Sequence, residues 1–117
     1  MPYTDPYQFL NKKVTVKMDR PLGSKHPNWD FKYELNYGYI PDTNAPDGSE
    51  VDAYVLGVDK PLDEFVGTCI AVINRKNDDD DKLIVVPDGQ TFTDEQIIKL
   101  TNFQEQYFKS KIIREVK

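Results

Sequence analysis

The chain is short of the residues that most often announce chemistry by themselves: it has one histidine, one cysteine and one tryptophan. A single cysteine cannot close a disulfide within the chain. Cys69 lies in an apolar run, where an inert buried thiol is expected rather than a nucleophile or ligand, and a reducing cytoplasm is the expected location. No stretch of about 18 apolar residues occurs, and the start MPYTDPYQFL lacks a basic segment followed by an apolar one, so neither export nor a membrane partner is expected. Positive charge is also scarce, with 15 Lys and Arg against 20 Asp and Glu and a net charge of -5. Seven tyrosines would suit stacking on single-stranded bases, but an acidic chain repels a phosphate backbone, so no nucleic-acid partner is expected. With 117 residues and 38% apolar content, there is room for one modest core, and residues 1–117 read as a single domain.

What is present is alternation. In residues 13–19, Val14, Val16 and Met18 face one way and Thr15, Lys17 and Asp19 the other, the period of a half-buried strand. Before it, Tyr3, Tyr7 and Phe9 belong to an aperiodic arm expected to dock on the body. After it, prolines and Gly23 exclude regular structure, and the loop carries Arg20, Lys25 and His26, with Trp29 expected to pack it down. Taken alone, that loop is a solvated connector. In residues 31–40 the aromatics Phe31, Tyr33, Tyr37 and Tyr39 fall mostly two apart, as in a strand or extended segment, and Gly38 allows a close backbone approach. Residues 51–58 and 66–75 read as strands, 77–81 as a hairpin turn and 82–86 as the returning strand, stopped by Pro87.

Thr93 and Gln96 form a capping box, Asp94 and Glu95 suit a helix start, and Lys109 and Lys111 suit its other end. Ile97, Ile98, Leu100, Phe103 and Tyr107 recur at helical spacing. The expected fold is mainly β: a small closed antiparallel, OB-like barrel of about five strands with a C-terminal α-helix packed on it.

Two acidic segments, PDGSEVD and NDDDDK, each stand at a strand end. Either alone is an ordinary solvated turn. If neighbouring strands bring them together, their carboxylates repel unless cations sit among them, and oxygen ligands on a turn beside a rigid strand suit magnesium or manganese. Such ions bind through a few carboxylates plus the phosphate oxygens of a substrate, which makes Arg20, Lys25, Lys82 and Lys109 candidate phosphate contacts.

The segments NYGYIP, PDGSEVDAYVLG, DDDDKLIVVP and NFQEQYFK stand in an order and at spacings that resemble the barrel-shaped soluble (family I) inorganic pyrophosphatases. The resemblance implies hydrolysis of diphosphate to two phosphates with magnesium as cofactor, manganese being a possible substitute, and a homo-oligomer is expected. By the same resemblance Asp47 and Asp52 match metal-binding and catalytic aspartates, Asp80 a further metal ligand, Asn77 or Asp78 another, Lys82 a basic site residue, and Tyr37 and Tyr107 phosphate-binding tyrosines. The chain departs from the family pattern at two positions. Ser49 replaces an aspartate that helps deprotonate water, and Lys17 stands where a metal-site glutamate is usual. Arg20, Lys25 and His26 are then expected to replace part of the missing phosphate contacts, and Glu50 or Asp79 to supply the missing carboxylate; His26 reads as an ordinary loop residue, with a general acid or pH-dependent phosphate contact as the alternative. The alternative is a non-catalytic module on the same barrel that binds phosphate compounds or a divalent metal.

Overall fold

The computed structural model describes residues 3–28, 30–46, 48–76 and 81–115. Its strands are β1 (Lys13–Arg20), β2 (Asn36–Ile40), β3 (Val51–Val55), β4 (Glu64–Arg75), β5 (Lys82–Val86) and β6 (Ser110–Ile113), with one α-helix, α1 (Asp94–Glu105), among the described residues. The order β1-β2-β3-β5-β4, with β1 pairing back onto β4, closes a barrel, and β6 extends the sheet beyond β4. Neighbours run antiparallel except β3 and β5, which are parallel, so the expected antiparallel barrel is corrected to a mixed one. The cause is the path of the chain. β4 crosses to β1, and its hairpin return, β5, fills the gap beside β3 and therefore runs the same way. Alternation reports which face a side chain takes and carries no information on strand direction.

The barrel interior is filled by Val14, Val16, Ile40, Val51, Val55, Leu83 and Val85, with Cys69 fully buried among them as expected. An irregularity in β4 between Cys69 and Ala71 shifts the alternation, so that Cys69 and Val72 join this interior while Ala71 and Ile73 join a second apolar layer outside it. Tyr33, Leu35, Tyr37, Tyr54, Ile84 and Val86 form that layer with Ile97 and Phe103 of α1. β5 is therefore buried along its whole length, which is why the four residues after Lys82 are a continuous apolar run. In the N-terminal arm, Tyr7 and Phe9 lie in or beside a single 3-10 turn and pack on the interior cluster, whereas Tyr3 stays exposed.

Several element limits differ from the sequence reading. Only residues 36–40 of the 31–40 segment join the sheet; Phe31 and Tyr33 lie outside it, on either side of Lys32, which forms an isolated bridge with Lys25. The 51–58 strand stops at Val55, and the 66–75 strand starts earlier, at Glu64. The capping box of α1 is formed, with Gln96 N donating to Thr93 Oγ1 at 3.1 Å and Thr93 N to Gln96 Oε1 at 2.8 Å. Ile97 and Phe103 are buried, but Ile98, Leu100 and Tyr107 are exposed; the buried stripe is completed by Thr101, Gln104 and Glu105. Helix α1 ends at Glu105, so Lys109 and Lys111 do not form its last turn, and Lys111 belongs to β6, a strand the sequence reading leaves unassigned. Trp29 and residues 77–80 of the turn lie outside the described residues. No helix of the described residues is long and apolar enough to cross a membrane.

Gly38 is required by packing: a Cβ there would fall on the Lys17 carbonyl oxygen, so β1 and β2 approach as the sequence suggests. Its neighbour Asn36 is fully buried and ties two loops to β2. Its Oδ1 accepts from Leu22 N and Leu62 N, each at 3.0 Å, and its Nδ2 donates to Lys60 O at 2.9 Å. Asn36→Ala orphans both amides, and denaturant unfolding should show a loss of about 2–4 kcal/mol; a change below about 0.5 kcal/mol, the range of ordinary surface substitutions, would contradict this role.

Candidate functional site

The parallel pairing of β3 and β5 sets Asp52 opposite Lys82, while Asp52 on its other side faces Tyr39, which in turn faces Lys17. Lys17, Tyr39, Asp52 and Lys82 thus form one row across four strands. The same pairing brings the chain into β3 at Val51 and into β5 at Lys82 from one end of the barrel. Lys82 is only 2% exposed, and its Nζ donates to Asp52 Oδ2 at 2.6 Å. The Tyr37 hydroxyl donates to the same oxygen at 2.9 Å, and Lys82 Nζ lies 5.3 Å from the Tyr37 ring centroid. An ammonium buried to this degree is tolerated because a carboxylate meets it. Asp52, Lys82 and Tyr37, singled out separately in the sequence, are one hydrogen-bonded group.

The other expected site residues are placed less uniformly. Arg20 ends β1 opposite Tyr37, and its Nη1 donates to Asp19 O at 3.0 Å. Burial raises the Tyr33 hydroxyl to about 12, with the Arg20 charge acting against that rise. Lys25 forms a bridge with Lys32 and borders a shallow depression with His26, Pro27, Asn28 and Asp30. Among the described residues no hydrogen bond or ion pair joins Lys25 to Asp52, Lys82 or Tyr37. His26 is half-buried. Its ring packs 4.9 Å from Phe31 and 5.9 Å from Tyr33, and its Nδ1 accepts from Asn28 N at 3.0 Å. Tyr107 follows α1 with its ring stacked 6.1 Å from Phe31. Lys109 has an exposed side chain, and its backbone carbonyl accepts from Lys76 N at 2.7 Å.

Ser49 is exposed on a turn closed by Ala45 N donating to the Ser49 carbonyl at 2.7 Å, with half-buried Glu50 between it and β3. Asp47, Asn77, Asp78, Asp79 and Asp80 lie outside the described residues. The last residue of the aspartate run, Asp81, is a structural group. Its carboxylate accepts from Asn74 Nδ2 at 3.2 Å, Arg75 N at 3.3 Å and the Tyr7 hydroxyl at 3.4 Å, which fastens the base of the hairpin.

Beside this group lies a buried polar layer that the sequence reading missed. Arg75 Nη2 donates to Glu105 Oε2 at 2.6 Å and Arg75 Nε to Oε1 at 3.0 Å. Tyr54 donates to Glu105 Oε2 at 2.7 Å, Gln104 Nε2 to the Tyr54 hydroxyl at 2.6 Å, and Tyr33 to Gln104 Oε1 at 2.8 Å. Its only trace in the sequence is that Thr101, Gln104 and Glu105 occupy helix positions adjoining the apolar ones.

Fold and site together define the class: a small closed barrel with a helix on its outer layer and, at one end of two parallel strands, a carboxylate held by a buried lysine and a tyrosine. The family model for inorganic pyrophosphatase matches residues 6–115. An inorganic pyrophosphatase of Methanosarcina acetivorans is 33% identical over 86 residues, covering 70% of this chain and 48% of that protein. One of Sulfolobus acidocaldarius is 27% identical over 114 residues, covering 92% and 61%. Matching alignments thus span about half, or somewhat more, of the length of these relatives. The chain belongs to the inorganic pyrophosphatase family. The solved structure of the Helicobacter pylori inorganic pyrophosphatase superposes with a TM-score of 0.67 at 18% identity, covering 97% of this chain and 89% of that one. That of Ehrlichia chaffeensis gives 0.65 at 18%, covering 92% and 85%. At such identities these two structures speak for the fold.

His26 offers a direct check on the loop. Burial first, and the Arg20 charge second, hold its pKa below the ordinary 6.5. Protonation also removes the Nδ1 acceptor used by Asn28. Because the folded value is the lower one, the stability His26 contributes is fully present above about pH 6.5 and is lost as pH falls through the folded value. Proton NMR of this lone histidine should give a midpoint below 6.5 in the folded chain, and a midpoint at or above 6.5 would contradict the packing described.

Proposed function

We propose that this chain hydrolyses inorganic diphosphate to two phosphates with magnesium as its cofactor. The observation that carries the reading is the group formed by Asp52, Lys82 and Tyr37 at the end of β3 and β5. Family membership supports diphosphate as the substrate. The reaction adds water at one phosphorus and breaks the bridging P–O bond, and such chemistry depends on positioning and on balancing charge over the phosphoryl oxygens.

The donors at this place fit a hard divalent cation in kind, because Asp52 and Tyr37 offer oxygen and neither cysteine nor histidine takes part. In number they are few. Among the described residues no three His, Cys, Asp or Glu side chains come together; Asp47, Asp78 and Asp80, matched by the family resemblance, would be the remaining ligands. When bound, the ion supplies charge neutralisation at the phosphoryl oxygens and makes water easier to deprotonate. Asp52 anchors the acidic side of the site. Lys82 balances that carboxylate before substrate arrives and gives the incoming phosphate a cation fixed by the sheet. Tyr37 orients Asp52 and presents its hydroxyl on the same side. Arg20 borders this surface, with Lys25, Tyr107 and Lys109 as more peripheral phosphate contacts. Ser49 is a hydroxyl where the family has a carboxylate, and a neutral hydroxyl is no general base at pH 7.

Phosphate release from diphosphate should require magnesium and should be absent in Asp52→Asn. That variant strands a buried ammonium, which is costly by itself. Asp52→Asn/Lys82→Met removes both charges and should stay folded by circular dichroism, still without turnover. Magnesium-dependent turnover surviving in the folded double variant would refute the site. Ser49→Asp restores a carboxylate on an exposed turn and should raise turnover by roughly tenfold or more, within the usual contribution of a positioned base; a flat or lower rate would show that Ser49 is not the limiting departure.

A further inference from the structure

The polar layer beneath α1 is not used by the chemistry above, yet its contacts run without interruption from Arg75 to Asp52. Arg75 and Glu105 have side chains only 4% and 7% exposed and meet through two N–H···O bonds, with the Phe108 ring 3.7 Å from the guanidinium carbon. A paired fork of this kind fixes orientation as well as distance. Its net value for stability over an apolar pair of similar volume is small or negative. What it imposes is geometry. Glu105 holds the Tyr54 hydroxyl, and Gln104 joins the Tyr54 and Tyr33 hydroxyls. The rings of those two tyrosines both pack on Tyr37, with centroids 4.9 Å away for Tyr54 and 5.3 Å for Tyr33. Neither ring can slide or tilt without giving up a hydrogen bond to the last turn of α1. Tyr37, so confined, reaches Asp52 Oδ2 at 2.9 Å. Burial and the neighbouring Glu105 hold the Tyr54 hydroxyl well above its ordinary range, which keeps it a donor.

We propose that Arg75 and Glu105 are positioning residues, which act through Tyr54 and Gln104 to fix the Tyr37 hydroxyl against Asp52 and so set the rate of the hydrolysis proposed above. The kinetic part rests on that reading; the positional part does not. A displacement of about 1 Å at such a hydroxyl is enough to cost up to a hundredfold in rate, so a helix held loosely would be felt at the site.

The test uses the full chain with 13Cζ-labelled tyrosine, the Tyr37 resonance being identified by its loss in Tyr37→Phe. Two variants are compared with the native chain. Arg75→Met/Glu105→Met replaces the buried pair by apolar groups of similar length, and Tyr54→Phe keeps the ring and leaves Glu105 paired with Arg75. In both, the Tyr37 resonance should move or split, and kcat for magnesium diphosphate should fall roughly tenfold or more while KM stays within about twofold, the signature of lost positioning rather than lost binding. If the double variant does not fold, Tyr54→Phe decides. A Tyr37 resonance and kcat equal to the native values, with only the melting temperature changed, would reduce the layer to a structural clamp and overturn the proposal. A native chain without turnover whose Tyr37 resonance still moves in the variants would refute the hydrolase reading and uphold the positioning.

Discussion

The parallel contact between β3 and β5 is the constraint on which the site depends. It closes the barrel, and by register it sets Asp52 beside Lys82. A lysine in a sheet with 2% of its side chain exposed would lose several kcal/mol of hydration without return. The pairing with Asp52 offsets that loss, so charge and topology require each other: moving β5 by one residue would turn Lys82 toward the barrel interior and leave Asp52 beside a leucine. The position of this group is therefore set by the fold itself, without help from loops.

The second layer works differently. α1 covers the outer face of the barrel with Ile97 and Phe103, which pack on the strand residues, and beside them Thr101, Gln104 and Glu105 are buried as well. An apolar stripe would hold the helix with similar strength while tolerating sliding. Hydrogen bonds to Tyr33, Tyr54 and Arg75 tolerate much less, because each donor or acceptor left alone in a buried layer carries its full desolvation cost. The apolar contacts keep the helix on the barrel, and the polar ones decide where along the barrel it sits.

What the sequence makes legible follows from what local patterns encode. Val14, Val16 and Met18 reveal a face because a strand alternates, and Thr93 with Gln96 reveals a helix start because a cap is a local event. Asp52, Lys82 and Tyr37 could be picked out from motif order, but not their joint hydrogen bonds, which depend on a parallel pairing between strands separated by β4. Asn36 gives no signal at all, since its partners Leu22, Lys60 and Leu62 lie on two loops brought together only by the closed barrel. Leu100 and Tyr107 mislead for the opposite reason. Helical spacing puts them on the apolar face of an ideal helix, whereas α1 stops at Glu105 and rests on its polar neighbours.

The division between strand and loop also bears on how the chemistry can vary. Asp52, Lys82 and Tyr37 sit on paired strands, where a change of side chain meets the energetics of the barrel. Ser49 sits on an exposed turn closed by backbone hydrogen bonds, from Ala45 N to the Ser49 carbonyl and from Gly48 N to the Ala45 carbonyl. Those bonds are made by the backbone, while the Ser49 hydroxyl itself donates to the Glu50 carbonyl at 3.5 Å. A change of side chain at Ser49 leaves the backbone bonds of the turn in place, while loss of the acid at Asp52 would strand a buried cation. Of the two departures from the family pattern, Ser49 lies on this turn and Lys17 on β1, so only the first stands clear of the strand pairing that holds Asp52, Lys82 and Tyr37 together.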